Sequence, residues 1–190
     1  MGRIVISEFV SLDGVIQDPD GGEGFRVGGW FGRIKDRPEV AKVKLDEALG
    51  ADALLLGRRS YEFFAERWQA RRGELAQRLT SLPKHVVSST LEDPDWHNST
   101  VLKGDVVTAV SKLKYGVNGD IIVYASFRLV HALIAHDLVD EMRLMILPVV
   151  LGDGERLFGA GSGTKPMRLV DTRTVDDDIA LLTYESVRDA

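Results

Sequence analysis

Arg58 and Arg59 follow directly on an apolar run, Ala53 to Leu56, and a single glycine, Gly57. Ser60 and a helical pattern come next, so the segment reads as a buried strand that turns into a helix start. A helix N-terminus offers free N–H groups and roughly half a positive charge, which favours phosphate. Gly57 lets the backbone approach such a group closely, and an arginine fork grips a phosphate through two hydrogen bonds. In the alternative reading, both arginines are first-turn residues paired with Glu62 or Glu66. Cations at a helix start oppose the dipole, so local stability does not explain them.

Two further strand ends carry similar chemistry. Ser88, Ser89 and Thr90 close the strand "KHVVSST". Three hydroxyls in a row can bind a phosphate or a ribose, or they cap a turn ahead of Pro94. In "VYASF", Ala125, Ser126 and Phe127 join a strand to a helix. Ser126 is a good N-cap, or the new helix start holds a pyrophosphate. Three such junctions in one sheet can converge on one cleft.

Other motifs carry less. "GAGSGTKP", residues 159–166, imitates a phosphate loop but lacks the Gly-Lys-Ser/Thr ending and a following helix. The four histidines show no metal spacing, so no metal site is expected. No G-x-S-x-G elbow supports a hydrolase triad. "DDD", 176–178, reads as a solvated turn.

The elements that must position these residues follow from the pattern. "RIVISEFVSL" reads as a buried strand. Residues 13–32 contain seven glycines and one proline and form a long loop, of the kind that is functional or disordered. Helices are predicted at 38–49, 58–67, 73–82, 105–115 and 127–138, and strands at 52–56, 84–90, 99–104 and 119–126. Residues 139–152 are a strand pair or one bent strand, and 167–187 form a hairpin. Alternating strands and helices predict a three-layer α/β/α fold with a mixed, mainly parallel sheet and a C-terminal antiparallel hairpin. Ligands then collect at the carboxyl ends of the strands.

The chain has 190 residues, enough for one domain, 1–190, with a sizeable core. Its net charge of −5 argues against a general nucleic-acid binder. It has no cysteine, which fits a reducing cytoplasm. No apolar run approaches the ~20 residues of a membrane helix.

Taken in order, "SEFVSLDGVI", "LLLGRRSYE", "LPKHVVSST", "DIIVYASFRLVHAL" and "LVDEMRLMILPVVLGDGERLF" resemble the dihydrofolate reductase-like family. The likeness is specifically to the reductase domain of the bacterial riboflavin-pathway deaminase-reductase and its stand-alone relatives. It runs from about Arg3 to Val187. The resemblance implies a homodimer that binds NADPH and reduces a small heterocycle or ribosyl-pyrimidine. By that likeness Gly57, Arg58, Arg59 and Ser60 hold phosphates. Ser88, Ser89 and Thr90 sit near the adenosine 2′-phosphate, and Ala125, Ser126 and Phe127 line the pyrophosphate. Asp13, as the catalytic candidate, orients the substrate or supplies a proton through water. Gly14 lies beside the nicotinamide, and Pro148, Val150, Leu151 and Gly152 border the substrate. Trp30 and Phe31 either form a lid over the cleft or simply pack the loop. Asp36, Glu39, Asp46 and Glu47 lie near the first helix without a motif to assign them a role. The sequence departs from the family at Ala125-Ser126, where relatives carry Gly-Gly or Gly-Ser. If Ala125 needs a positive φ, it costs about 1 kcal/mol. The alternative is therefore a nucleotide-binding or regulatory homodimer that keeps the fold without turnover.

Overall fold

The computed structural model describes residues 1–33, 37–159 and 163–187. Asp36 and part of the 159–166 loop lie outside them. In chain order the elements are β1 (Arg3–Ser11), α1 (Pro38–Gly50), β2 (Ala51–Gly57), α2 (Arg58–Gln69) and α3 (Glu74–Ser81). They continue as β3 (Lys84–Val87), β4 (Ser99–Leu102), α4 (Val106–Gly116), β5 (Asp120–Tyr124) and α5 (Phe127–Ala135). The chain closes with β6 (Glu141–Leu147), β7 (Met167–Val175) and β8 (Ile179–Ser186). The eight strands form one sheet in the order β4-β3-β2-β5-β1-β6-β8-β7. Among the described residues only β8 runs against the other strands, pairing antiparallel with both β6 and β7.

Helices cover both faces. Ile4, Ile6 and Val10 pack with Val110 and Leu113 of α4 and with Leu129, Val130 and Leu133 of α5. On the opposite face Val5, Leu54 and Leu56 meet Ala48 of α1, Tyr61 and Ala65 of α2, and Leu79 of α3. β1, β2 and β5 are therefore buried on both sides, as parallel strands under crossover helices must be. β5 lies between β1 and β2, and the helices that follow β2 and β5 cover opposite faces. Such a switch in direction opens a crevice at the strand ends.

Residues 139–152 hold a single strand, β6, followed by coil that bonds back to β1 through Leu12 N–H and the Val149 carbonyl at 2.8 Å. The acidic turn does more than stay in solvent. The Asp176 carboxylate accepts the Glu39 and Val40 amides at 3.1 and 3.0 Å, while the Glu39 carboxylate accepts the Asp176 amide at 2.7 Å. Arg37 pairs with Asp178. The hairpin thus supplies the N-terminal cap that α1, which starts on Pro38, lacks locally.

Candidate functional site

The ends of β2 and β5 are joined at the crevice. The Gly57 amide donates to Ser126 Oγ at 3.0 Å, and Ser126 Oγ donates to the Tyr124 carbonyl at 3.1 Å. Ala125 and Ser126 have φ of +49° and +65°, so two successive non-glycine residues are left-handed. The condition attached to Ala125 is met, and each such residue costs roughly 1–2 kcal/mol. An added Cβ at Gly57 meets nothing closer than 3.7 Å, so packing does not demand this glycine.

Two adjoining cavities open here. The smaller, about 330 Å³, is lined by Gly57, Arg58, Arg59, Ser60, Val87 and, from the second junction, Ala125 to Leu129. The starts of α2 and α5 both reach it. Arg58 pairs with Glu62 at 3.3 Å, as the plainer reading expects. Among the described residues Arg59 makes no close ion pair, though its charge acts on the Glu23 carboxyl, and Arg128 lies over the Phe127 ring. The larger cavity, about 510 Å³, is walled by Phe9, Phe31, Phe63, Phe64, Trp68, Trp96 and Tyr124. Phe9 and Phe31 stack at 4.4 Å. Lys44 Nζ lies 5.0 Å from the Phe9 ring centre and 5.1 Å from that of Tyr124.

Beneath the larger cavity is a polar cluster. Ser7 Oγ lies 2.9 Å from both Glu47 carboxylate oxygens. Lys44 Nζ donates to Ser7 Oγ at 2.5 Å and to Glu47 at 3.1 Å. Tyr124 donates to Glu47 at 3.3 Å, and burial first, then the Glu47 charge, pushes its phenol well above the ordinary range. Glu47, unassigned from sequence, therefore anchors three residues at the cavity wall.

Glu8 lines both cavities. It is 4% exposed, and its Oε1 has no hydrogen-bond partner among the described residues. It continues the row Ile4, Ile6 and Val10, an acid where three aliphatic side chains pack. Burial pushes its carboxyl up to about 8, against an opposing pull from Lys44. Sequence reading passed over Glu8. The only signal was an acid inside a β-branched strand.

The glycine-rich loop is held by Asp18, whose carboxylate accepts the amides of Gly22, Glu23 and Phe25 at 2.7–3.2 Å. A side chain at Gly28 would fall 2.3 Å from that carboxylate. The loop sends Asp18, Pro19 and Glu23 to both cavities. Burial, before any charge effect, raises the carboxyls of Glu23 and Asp20.

Several expected site residues stand elsewhere. Trp30 is fully buried among Val40, Val43, Met145 and Leu147 and donates to the Gln17 carbonyl at 2.8 Å. It packs the loop, while Phe31 reaches the cavity. Asp13 lines neither cavity. It accepts the Ser11 hydroxyl at 2.7 Å and the Leu151 and Gly152 amides at 3.1 and 2.8 Å. These bonds, led by Ser11, hold its carboxyl down at about 2. Gly14, Pro148, Val150, Leu151 and Gly152 also line neither cavity. Ser88 Oγ accepts the Thr90 and Leu91 amides at 3.1 and 2.9 Å, the capping arrangement, and Ser89 and Thr90 are exposed one turn beyond Val87. Among the described residues no group of three or more candidate ligands could hold a metal ion. No described helix is long and apolar enough to cross a membrane.

The model of the RibD C-terminal domain matches residues 3–181. The chain is 28% identical over 194 residues to Uncharacterized protein YyaP of Bacillus subtilis (strain 168), covering 96% of this chain and 94% of that one. A putative riboflavin biosynthesis protein from Shewanella sp. PV-4 superposes with a TM-score of 0.76 at 22% identity, covering 98% of this chain and 99% of that one. A pyrimidine reductase-like protein (DIP1392) from Corynebacterium diphtheriae NCTC gives 0.62 at 14% identity, with 98% and 92% covered. At these identities the two structures speak for the fold.

Proposed function

The chain belongs to the RibD C-terminal domain family, and from that premise we propose that it is an NADPH-dependent reductase acting on a small heterocyclic or ribosyl-pyrimidine acceptor. The observation that carries this reading is the contrast between the two cavities across one shared wall. The smaller has two helix starts, with Arg58, Arg59 and Arg128 beside them, which suit phosphates. The larger also carries Arg37, Lys44, Arg67 and Arg71, but its walls are aromatic and suit a planar ring. Glu8, Asp18, Pro19, Glu23, Ser60 and Ala125 line both.

The residues present fit a dinucleotide. Gly57 and Ser60 offer backbone and hydroxyl at the start of α2. Arg59 carries the preference for a 2′-phosphate, with Arg58 beside it; Ser89 and Thr90, just beyond Val87 of the same cavity, are exposed. Ser126 and Phe127 present the start of α5. When bound, the reduced nicotinamide supplies the hydride. The protein orients it and excludes water. Phe31 and the loop centred on Asp18 close over the larger cavity, and the Glu47 cluster fixes Lys44 and Tyr124 along its wall. Asp13 acts on this reading as a clamp between β1 and the 151–152 backbone. The reading takes 1–190 as one domain, working as a cytoplasmic homodimer on a small-molecule substrate.

Ala125 favours a second reading, a protein that binds the nucleotide without turnover. Titration with NADPH and NADH, followed by tryptophan fluorescence and calorimetry, tests the first. Trp68 and Trp96 line the larger cavity and are the expected reporters. Micromolar NADPH binding with weaker NADH binding is the expected result. Absence of binding at millimolar concentration removes the reductase reading. Tight binding with no reduction of any acceptor tried favours the second.

A further inference from the structure

Resting on the reductase reading, we propose that Glu8 is the acid that protonates the acceptor as hydride reaches it. This assigns the acceptor a polarised carbon–nitrogen double bond whose nitrogen lies against Glu8.

Glu8 is the one acid in the row formed with Ile4, Ile6 and Val10. Fold stability does not call for it, since a buried carboxyl without a partner is costly. Its Oε1 is free of protein partners among the described residues. The side chain belongs to the wall that both cavities share. A group there touches whatever meets between phosphate side and aromatic side.

The step balances as follows. Hydride from the reduced nicotinamide adds to the acceptor carbon, and the π pair of the C=N bond moves to nitrogen. The Glu8 O–H bond breaks, its proton joins that nitrogen, and the electron pair stays on the carboxylate. The nicotinamide is oxidised by two electrons and the acceptor gains the equivalent of H2. Solvent then returns a proton to Glu8. An acid that is protonated at neutral pH and poised near it is suited to this task.

The groups around Glu8 set its balance. Lys44, from α1, favours the ionised form. Asp18 and Glu23 of the loop line both cavities with Glu8, and Asp20 lines the larger. Tyr124 of β5 adds no charge. Arg58, Arg59, Arg67 and Arg71, Arg128 of α5, and Arg37 ahead of α1 complete the charged lining. Arg58 is engaged by Glu62 and Arg37 by Asp178. Arg67 and Arg71 stack on Phe63 and Trp68.

The experiment uses the full chain, wild type and Glu8→Gln, with NADPH and NADP+ as probes. Infrared spectra at neutral pH read the carbonyl band of a protonated carboxylic acid. Calorimetry in two buffers of different ionisation heat reads protons released on binding. The expected result is a wild-type band that disappears on titration to alkaline pH and is missing in Glu8→Gln. NADP+, whose ring is cationic, releases a proton on binding wild type but not the variant, while NADPH affinity stays within about threefold. The absence of a protonated band in wild type, or equal proton release by both proteins, overturns the acid role alone. Failure of wild type to bind either nucleotide overturns the reductase reading, and the proposal falls with it.

Discussion

Ser126 holds Gly57: the side-chain oxygen of one accepts the backbone amide of the other at 3.0 Å, between two residues 69 apart in sequence at the ends of neighbouring strands. The same oxygen donates to the Tyr124 carbonyl. One hydroxyl thereby fixes the separation of the two helix starts at the smaller cavity. Ser126→Ala removes both bonds and leaves the Gly57 amide unpaired. The expected cost is about 1–2 kcal/mol of stability, with NADPH affinity down roughly tenfold. Thermal unfolding and calorimetry check the two effects separately.

Ala125 holds a left-handed conformation at φ +49° that glycine adopts without strain. Ala125→Gly should raise stability by about 1 kcal/mol or leave it level once the looser unfolded chain is counted. Nucleotide affinity should rise. Lower affinity would show that the methyl group contacts the ligand favourably.

Arg59 stands at the start of α2 without a close ion pair among the described residues. Arg59→Ala should weaken NADPH by about tenfold or more and NADH by much less. Equal losses for the two nucleotides would remove the assignment of Arg59 to the 2′-phosphate.

Glu8 links the site to stability through pH. Its folded carboxyl is raised from 4.5 to about 8, so between those values the folded state binds more protons than the unfolded one. Stability must fall as the pH rises through that window and level off above it. A shift of this size is worth on the order of 5 kcal/mol if fully expressed. Glu8→Gln should flatten the slope and be the more stable protein at alkaline pH. Denaturant midpoints measured across the window give the answer.

Asp13 behaves oppositely. Its carboxyl is held at about 2 by Ser11, Leu151 and Gly152, so its contribution is present above the ordinary carboxylate range and is lost as the pH falls through about 2. Asp13→Ala should lower the melting temperature and loosen the 148–152 backbone. NADPH affinity should not change, because Asp13 lines neither cavity. A large loss of nucleotide binding would return Asp13 to the site.

The sequence made the strand-to-helix junctions legible because their signals are local. An apolar run, a glycine and a helix pattern lie within ten residues at Gly57, and at Ser126 an apolar run, two small residues and a helix pattern do the same. Glu8 was illegible for a physical reason. β1 is buried on both faces, so alternation does not separate inward from outward positions, and one acid in "RIVISEFVS" looks like any solvent-facing residue. Trp30 was ambiguous because a glycine-rich loop gives no period from which to read burial. The Ser88 hydroxyl accepts the Thr90 and Leu91 amides, a local arrangement that the sequence offers directly. The role of Asp176 at α1 lies 136 residues from its partner, beyond the reach of any pattern along the chain.

That last contact has a consequence in time. As the chain leaves the ribosome, α1 emerges early but cannot find its cap until the turn at Asp176 has been made, after nearly all the rest of the sheet. Lys44 and Glu47 ride on α1, so the wall of the larger cavity waits for the final hairpin. Long-range closures of this kind are slow to form. The nascent chain therefore completes the smaller cavity before the wall of the larger one.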